Sequence, residues 1–145
     1  MPLYFEDLPV GETRELGTVT VSREDIIAFA ERYDPQPIHA DPDAAAAGPY
    51  GGVIASGWHT ASLCMRQLVE GFLSETATRG ALGVDGLRWR TPLRPGDELT
   101  VRGEIAETEV WDDDRGLAHC RVEATNGEGD EVLSMVGLVL FARRE

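Results

Sequence analysis

The stretch that most limits how this chain can fold is Trp58–Glu75, the longest helical pattern in the sequence. Within it Ala61, Leu63, Cys64, Leu68, Val69, Phe72 and Leu73 cover more than one face of a helix. A helix that is apolar around so much of its surface belongs at the centre of a fold, with the rest of the chain wrapped over it. The segment before it is Gly48-Pro49-Tyr50-Gly51-Gly52-Val53-Ile54-Ala55-Ser56-Gly57. Its glycines and proline rule out regular structure until about Ser56.

The wrapping material is mostly strand. Ala81–Arg90 reads as a strand closed by Thr91-Pro92, and Pro95-Gly96-Asp97 as a turn. Glu98–Val110 alternates apolar and polar residues, the pattern of a strand with one wet face. Asp112–Gly116 is a second turn, Leu117–Thr125 alternates again, and Asn126-Gly127 opens a hairpin connection. Val132–Phe141 is mostly apolar and is expected inside the sheet rather than at its edge.

Ahead of the long helix, residues 3–12 form a lead-in with turn chemistry at Pro9, and residues 13–21 read as an edge strand rich in Thr and Val. Ser22, with Asp25 three residues on, resembles a capping box and starts a helix. Ile26, Ile27, Phe29 and Ala30 give that helix its apolar stripe. It ends by Asp34, because Pro35 follows. Asp41 or Pro42 caps a short turn over Ala44–Ala47. The expected fold is α+β: a single domain over residues 1–145, with one long helix on the concave face of a curved antiparallel sheet.

The formal net charge is −13, and all 13 basic residues are arginine. An acidic surface repels backbone phosphates, which argues against nucleic acid as a partner but leaves room for a small anionic ligand held by local arginines. Cys64 and Cys120 are the only cysteines and read as reduced, buried thiols; with no Cys/His cluster, no metal site is expected. Met1–Asp7 lacks the basic and apolar regions of a secretory signal, and no apolar run reaches the roughly 20 residues of a membrane span. The expected compartment is the cytoplasm, with no membrane partner.

Chemistry concentrates in Tyr33-Asp34-Pro35-Gln36-Pro37-Ile38-His39. Two prolines separate an acid from a histidine. Proline fixes its own φ and biases the residue before it away from the α region. The segment is expected to be a stiff, extended bend that holds Asp34 and His39 in a set relation, suited to proton transfer.

Phe29, Asp34, Pro37-Ile38-His39 and Ala45 together resemble the (R)-specific enoyl-CoA hydratase signature of MaoC-like dehydratases. Gly52–Gly57 followed by a long helix resembles that family's second segment, and Arg94-Pro95-Gly96-Asp97 opening a strand resembles a third. The likeness runs from about Val21 to about Val101, with the three segments in the family's order and spacing. Tyr33 and Gln36 stand where the family has Gly and Asn, which changes the shape of the pocket but leaves the acid and the His in place.

The resemblance implies a hot-dog fold, side-by-side pairing into a homodimer or a higher assembly of dimers, and an acyl-CoA or acyl-carrier thioester substrate without a cofactor. It implies that Asp34 and His39 hold one water and act together as base and then acid, giving an (R)-3-hydroxyacyl product or its dehydration. Thioester negative charge would go to backbone N–H groups at the start of the long helix, with Gly57 as donor beside Ser56. His59 and Ser62 are further pocket candidates, although a helix-start His satisfied by its neighbours and a buried Ser bonded back to its own helix are the plainer accounts. Arg88 and Arg90, on one strand face with Trp89 on the other, are candidates for the phosphates of the carrier arm. Trp58, Trp111 and Phe72 are expected in the core or an interface.

Two other readings compete. A hot-dog thioesterase needs a carboxylate near the helix start, where Trp58-His59-Thr60 offers none. A non-catalytic acyl-binding domain would be favoured by Tyr33 packed into the water site, and disfavoured by an open tunnel reaching Asp34 and His39.

Overall fold

A computed structural model describes residues 1–144. Five strands, β1 (Thr13–Thr20), β2 (Thr78–Trp89), β3 (Glu98–Val110), β4 (Arg115–Thr125) and β5 (Glu131–Ala142), form one antiparallel sheet in the order β1-β3-β4-β5-β2. Across it lies a long helix, α4 (Gly57–Gly71). Three shorter helices, α1 (Arg23–Tyr33), α2 (Pro37–Ala40) and α3 (Pro42–Ala46), fill the connection from β1 to α4. This is the hot-dog arrangement that the family resemblance implied, and the helix-on-sheet α+β layout that the sequence pattern predicts.

The period-2 alternation sorts β4 cleanly. Ala118, Cys120, Val122 and Ala124 are buried, while Arg121 and Glu123 point outward. Leu99 and Val101 of β3, Leu133 and Phe141 of β5, and Cys64 and Leu68 of α4 complete the contact between helix and sheet. Burial of each large aliphatic or aromatic side chain here is worth about 1.5–3 kcal/mol relative to exposure. Register shifts interrupt the ladders at Glu15/Gly17, Asp85/Arg88 and Ile105/Glu107, and such bulges bend the strands that carry them around the helix. β5 lies inside the sheet between β4 and β2, as its apolar sequence predicted.

The long helix is shorter than Trp58–Glu75. It stops at Gly71, Phe72 takes φ −149°, and Leu73–Glu75 form a separate 3-10 turn. A Cβ at Gly71 would run into the backbone of Leu16, so this end of the helix is held against β1 at a distance only glycine allows. Nor is the helix buried all round: Trp58, Met65 and Val69 are exposed. Of the three aromatic residues expected in the core or an interface, Phe72 is in the core, whereas Trp58 and Trp111 are exposed on the single chain. Both cysteines are free and buried, and burial pushes each thiol up to about 12.

The stretch from Asp34 to His39 is extended only as far as Gln36. There Pro37 starts α2, one helical turn that carries His39. The fixed φ of proline suits the first helical position, where its missing N–H costs nothing. His39 is therefore a buried residue on a helical turn, not a side chain on an open bend.

Candidate active site

Four chain segments meet at the N-terminal end of α4. Ser22 caps α1 by accepting from the Asp25 N–H, and α1 runs until Asp34 serves as its C-cap. α2 follows and delivers His39. The segment Val53–Ser56 is then strapped down on both sides: Ile54 N–H donates to the Ile38 carbonyl (3.1 Å) and Ala55 N–H to the Leu93 carbonyl (2.8 Å). Ser56 caps α4 and is fully buried.

These contacts place Asp34 in a ring of donors. Ser56 Oγ donates to Asp34 Oδ2 at 2.6 Å, and Gln36 Nε2 donates to Oδ1 at 2.7 Å. His39 Nε2 lies 3.5 Å from Oδ2. The Ser56 hydroxyl, then the Gln36 amide, then the field of His39 hold the carboxyl below the usual aspartate range, against the opposing effect of desolvation. Asp34 is thus a carboxylate at neutral pH, with both oxygens engaged.

The state of the imidazole follows from its other side. His39 Nδ1 is 2.7 Å from the Ile54 carbonyl oxygen. A carbonyl only accepts, so Nδ1 carries the hydrogen. In the neutral ring Nε2 then presents a lone pair towards Asp34 and the adjoining space. A water held there would meet a base at His39 and an acceptor at Asp34.

A cavity of about 420 Å³ opens beside this pair, a size common among ligand pockets. His39 and Gly57 lie in its wall together with Ile38, Ile54, Leu93 and Val132. Asp34 sits behind His39 rather than in the lining. Gly57 is the first residue of α4, and its N–H has no intramolecular acceptor among the described residues. It therefore stands at the positive end of the helix, facing a space a ligand can fill. Tyr33 does not block the site: its ring packs against Phe29 at 5.1 Å between centroids and is 65% exposed.

The remaining candidates separate. Ser56 is drawn to Asp34 rather than to a ligand, so its hydroxyl positions the acid. His59 is buried but outside the cavity wall. It stacks on Phe29 at 4.7 Å with rings 6° apart, and burial pushes its pKa down. Its Nδ1 has no partner among the described residues, so the expectation of a His satisfied by its neighbours does not hold. Ser62 is exposed and donates back to the Trp58 carbonyl at 2.7 Å, which is the plainer account of that residue. Arg88 is exposed with its guanidinium turned to the Leu87 carbonyl. Arg90 lies just beyond β2 in the cavity wall, with Nε 3.2 Å from Ser134 Oγ and 3.5 Å from Glu131.

Trp89 lines the same cavity as Arg90, although strand alternation puts them on opposite faces. β2 ends at Trp89, after a register shift between Asp85 and Arg88, so simple alternation does not extend to Arg90. Trp89, Thr60 and Val132 are site residues that the sequence reading passed over. For Trp89 the available signal was its place directly before Arg90 and the Thr91-Pro92 break. A second, much smaller apolar cavity at the far end of α4, between Leu68, Phe72 and Cys120, contains none of the site residues.

Comparison with known proteins gives the family and the fold. Residues 7–127 match the family described as the MaoC like domain. A 3-hydroxybutyryl-CoA dehydratase of Methylorubrum extorquens is 38% identical over 133 residues, covering 90% of this chain and 78% of that protein. The crystal structure of a MaoC-like dehydratase from Rhodospirillum rubrum superposes with a TM-score of 0.88 at 38% identity, covering 99% of each chain. An (R)-hydratase from Pseudomonas aeruginosa superposes with a TM-score of 0.76 at 26% identity, covering 99% of this chain and 88% of that one.

Proposed function

The chain belongs to the MaoC-like dehydratase family, and on that premise we propose that it adds water across the double bond of trans-2-enoyl thioesters, or removes it from (R)-3-hydroxyacyl thioesters. The observation that carries this reading is the pairing of Asp34 and His39 beside a cavity whose wall includes the free N–H of Gly57.

In the hydration direction a water sits between Asp34 and His39. The lone pair on His39 Nε2 takes a proton from it while the oxygen adds to the β-carbon. The π electrons move onto the thioester oxygen, which Gly57 N–H and the helix end stabilise. Collapse of that enolate takes the proton from His39 to the α-carbon, on the same face as the new hydroxyl. Asp34 remains ionised throughout; it orients the water and balances the charge on the imidazolium. This assigns the moving proton to His39 and the fixed charge to Asp34, because Asp34 already accepts from Ser56 and Gln36. Dehydration runs the same steps in reverse.

A short acyl-CoA is the proposed substrate. The support is the likeness to the 3-hydroxybutyryl-CoA dehydratase of Methylorubrum extorquens and the position of Arg90 in the cavity wall, where it can meet a phosphate of the carrier arm. A second copy of the chain is proposed to pair along β2. That strand bonds only to β5 among the described residues and leaves Leu82 and Val84 exposed on the outer edge of the sheet. No helix is long and apolar enough to cross a membrane. The thioesterase reading finds no acid on α4 itself near the site, since the first acid within α4 is the exposed Glu70 near its far end, and Asp34 is already paired with His39 and engaged by Ser56 and Gln36.

The test is the loss of enoyl absorbance with a panel of trans-2-enoyl-CoAs, with thioester hydrolysis followed in parallel. Hydration by the wild type that disappears in Asp34→Asn is the expected result. Hydrolysis without hydration would overturn the proposal.

A further inference from the structure

Trp89 has a contact that no other cavity residue shares. An ideal Cβ on Gly57 would fall inside its indole ring, against Cε2, Cδ2 and Cζ2. The ring therefore lies directly on the α-carbon of the residue that carries the free N–H. No other side chain can come between them.

The indole is also held in place. The backbone of Trp89 pairs with Leu133 of β5, which is fully buried, and Arg90 N–H donates to the Val132 carbonyl at 2.8 Å. Trp58 meets the ring edge-on, at 5.3 Å between centroids and 80° between planes. Edge-to-face is a preferred arrangement for two aromatic rings, so Trp58 helps fix the plane of the indole. The rest of the wall includes the buried aliphatic residues Ile54, Leu93 and Val132, whereas Trp89 is 45% exposed.

We propose that Trp89 is a specificity-determining residue that restricts the enzyme to enoyl thioesters without a substituent on the α-carbon. The proposal rests on the hydratase reading given above. A carbonyl oxygen bound at Gly57 N–H brings the adjoining carbons against the indole face. The flat, unbranched CH=CH unit fits beside an aromatic plane, and a methyl group on the α-carbon points into it. A well-packed wall of this kind discriminates by roughly 10- to 200-fold per methyl group.

The experiment compares kcat/KM for trans-2-butenoyl-CoA and its 2-methyl counterpart, using the wild type, Trp89→Leu and Trp89→Ala. The wild type is expected to favour the unbranched substrate by about 10-fold or more, within the range for a single methyl group. That preference is expected to fall progressively through Leu to Ala. The ratio is the readout, so a general loss of activity in either variant does not disturb it, and Trp89→Leu supplies a milder change if Trp89→Ala folds poorly. Turnover of the unbranched substrate with a ratio that is the same in all three proteins overturns the role of Trp89 and leaves the hydratase reading standing. A wild type that uses both substrates equally also overturns it. No hydration of either substrate by the wild type overturns both.

Discussion

Ser56→Ala is the substitution that most directly probes how the acid is held. Ser56 is fully buried, caps α4, and points its hydroxyl at Asp34 Oδ2 from 2.6 Å. A hydrogen bond to a charged group contributes about 1.5–3 kcal/mol, and if all of it serves to hold the carboxylate in its reactive position, its loss lowers kcat by roughly 10- to 150-fold. KM is expected to change little, because Ser56 is outside the cavity wall. The same hydroxyl is the largest cause of the lowered pKa of Asp34. A carboxyl whose folded pKa is depressed stabilises the fold above its unfolded value, and that contribution is lost as pH falls through the folded value. Removing Ser56 raises the folded value, so the acid limb of both activity and stability moves to higher pH. Loss of the cap alone costs about 0.5–2 kcal/mol for Ala and only a few tenths for Gly. Ser56→Gly therefore separates the two roles: stability recovers most of the way and kcat does not. The assay is steady-state hydration of trans-2-butenoyl-CoA with urea unfolding alongside, both followed from neutral pH down past the unperturbed aspartate value of about 3.9. A kcat within about twofold of wild type in both variants, a change of less than 0.5 kcal/mol, would refute the assignment of Ser56 as a positioning residue.

Asp34→Asn and His39→Ala are both expected to abolish hydration, but their unfolding curves are expected to differ. Asp34 is a partly exposed helix cap, whereas removing the buried His39 leaves the Ile54 carbonyl without its donor, a cost of about 1–3 kcal/mol in denaturant titration. Equal stability of the two variants would contradict the buried placement of His39. Gly71→Ala puts a methyl into the backbone of Leu16 and is expected to lower stability by about 1–3 kcal/mol. Unchanged urea unfolding would show that β1 can move away from the helix. Light scattering on a sizing column is expected to give twice the chain mass, and replacing the exposed Leu82 and Val84 by Glu is expected to give the single-chain mass.

The elements that obey a simple period are legible in the sequence. β3 occupies Glu98–Val110 as its alternation predicts, and α1 is bracketed by Ser22 and by the proline after Asp34. What escapes the pattern depends on contacts between distant segments. The stop at Gly71 is set by the close approach of Leu16, some fifty-five residues earlier, which no local propensity records. α2 was hidden because prolines read as breakers, while Pro37 stands at the first position of a turn, where proline is favoured. The acid and the histidine were legible as a pair. The donors that set the charge state of the acid were not, because Ser56 reaches Asp34 across 22 positions of sequence.

The first turn of α4 and its cap explain how the site keeps its acid and histidine in place beside the larger Tyr33 and Gln36. Ser56 faces inward and fixes the acid; Gly57 offers an N–H to the cavity; Thr60 lines the same cavity one turn on. His59 points away towards Phe29 and joins α1 to α4. Each of these directions is set by a helix anchored at both ends, at Gly71 against Leu16 and at the Ser56 cap. Tyr33 is free to replace a smaller residue because α1 ends with that side chain turned to solvent and to Phe29, outside the path between His39 and the cavity. Gln36, with one methylene more than asparagine, delivers its amide to Asp34 Oδ1 at 2.7 Å from the extended backbone before Pro37. Both departures therefore preserve the charge and position of the acid, and variation among substrates is left to the wall that faces them, above all Trp89.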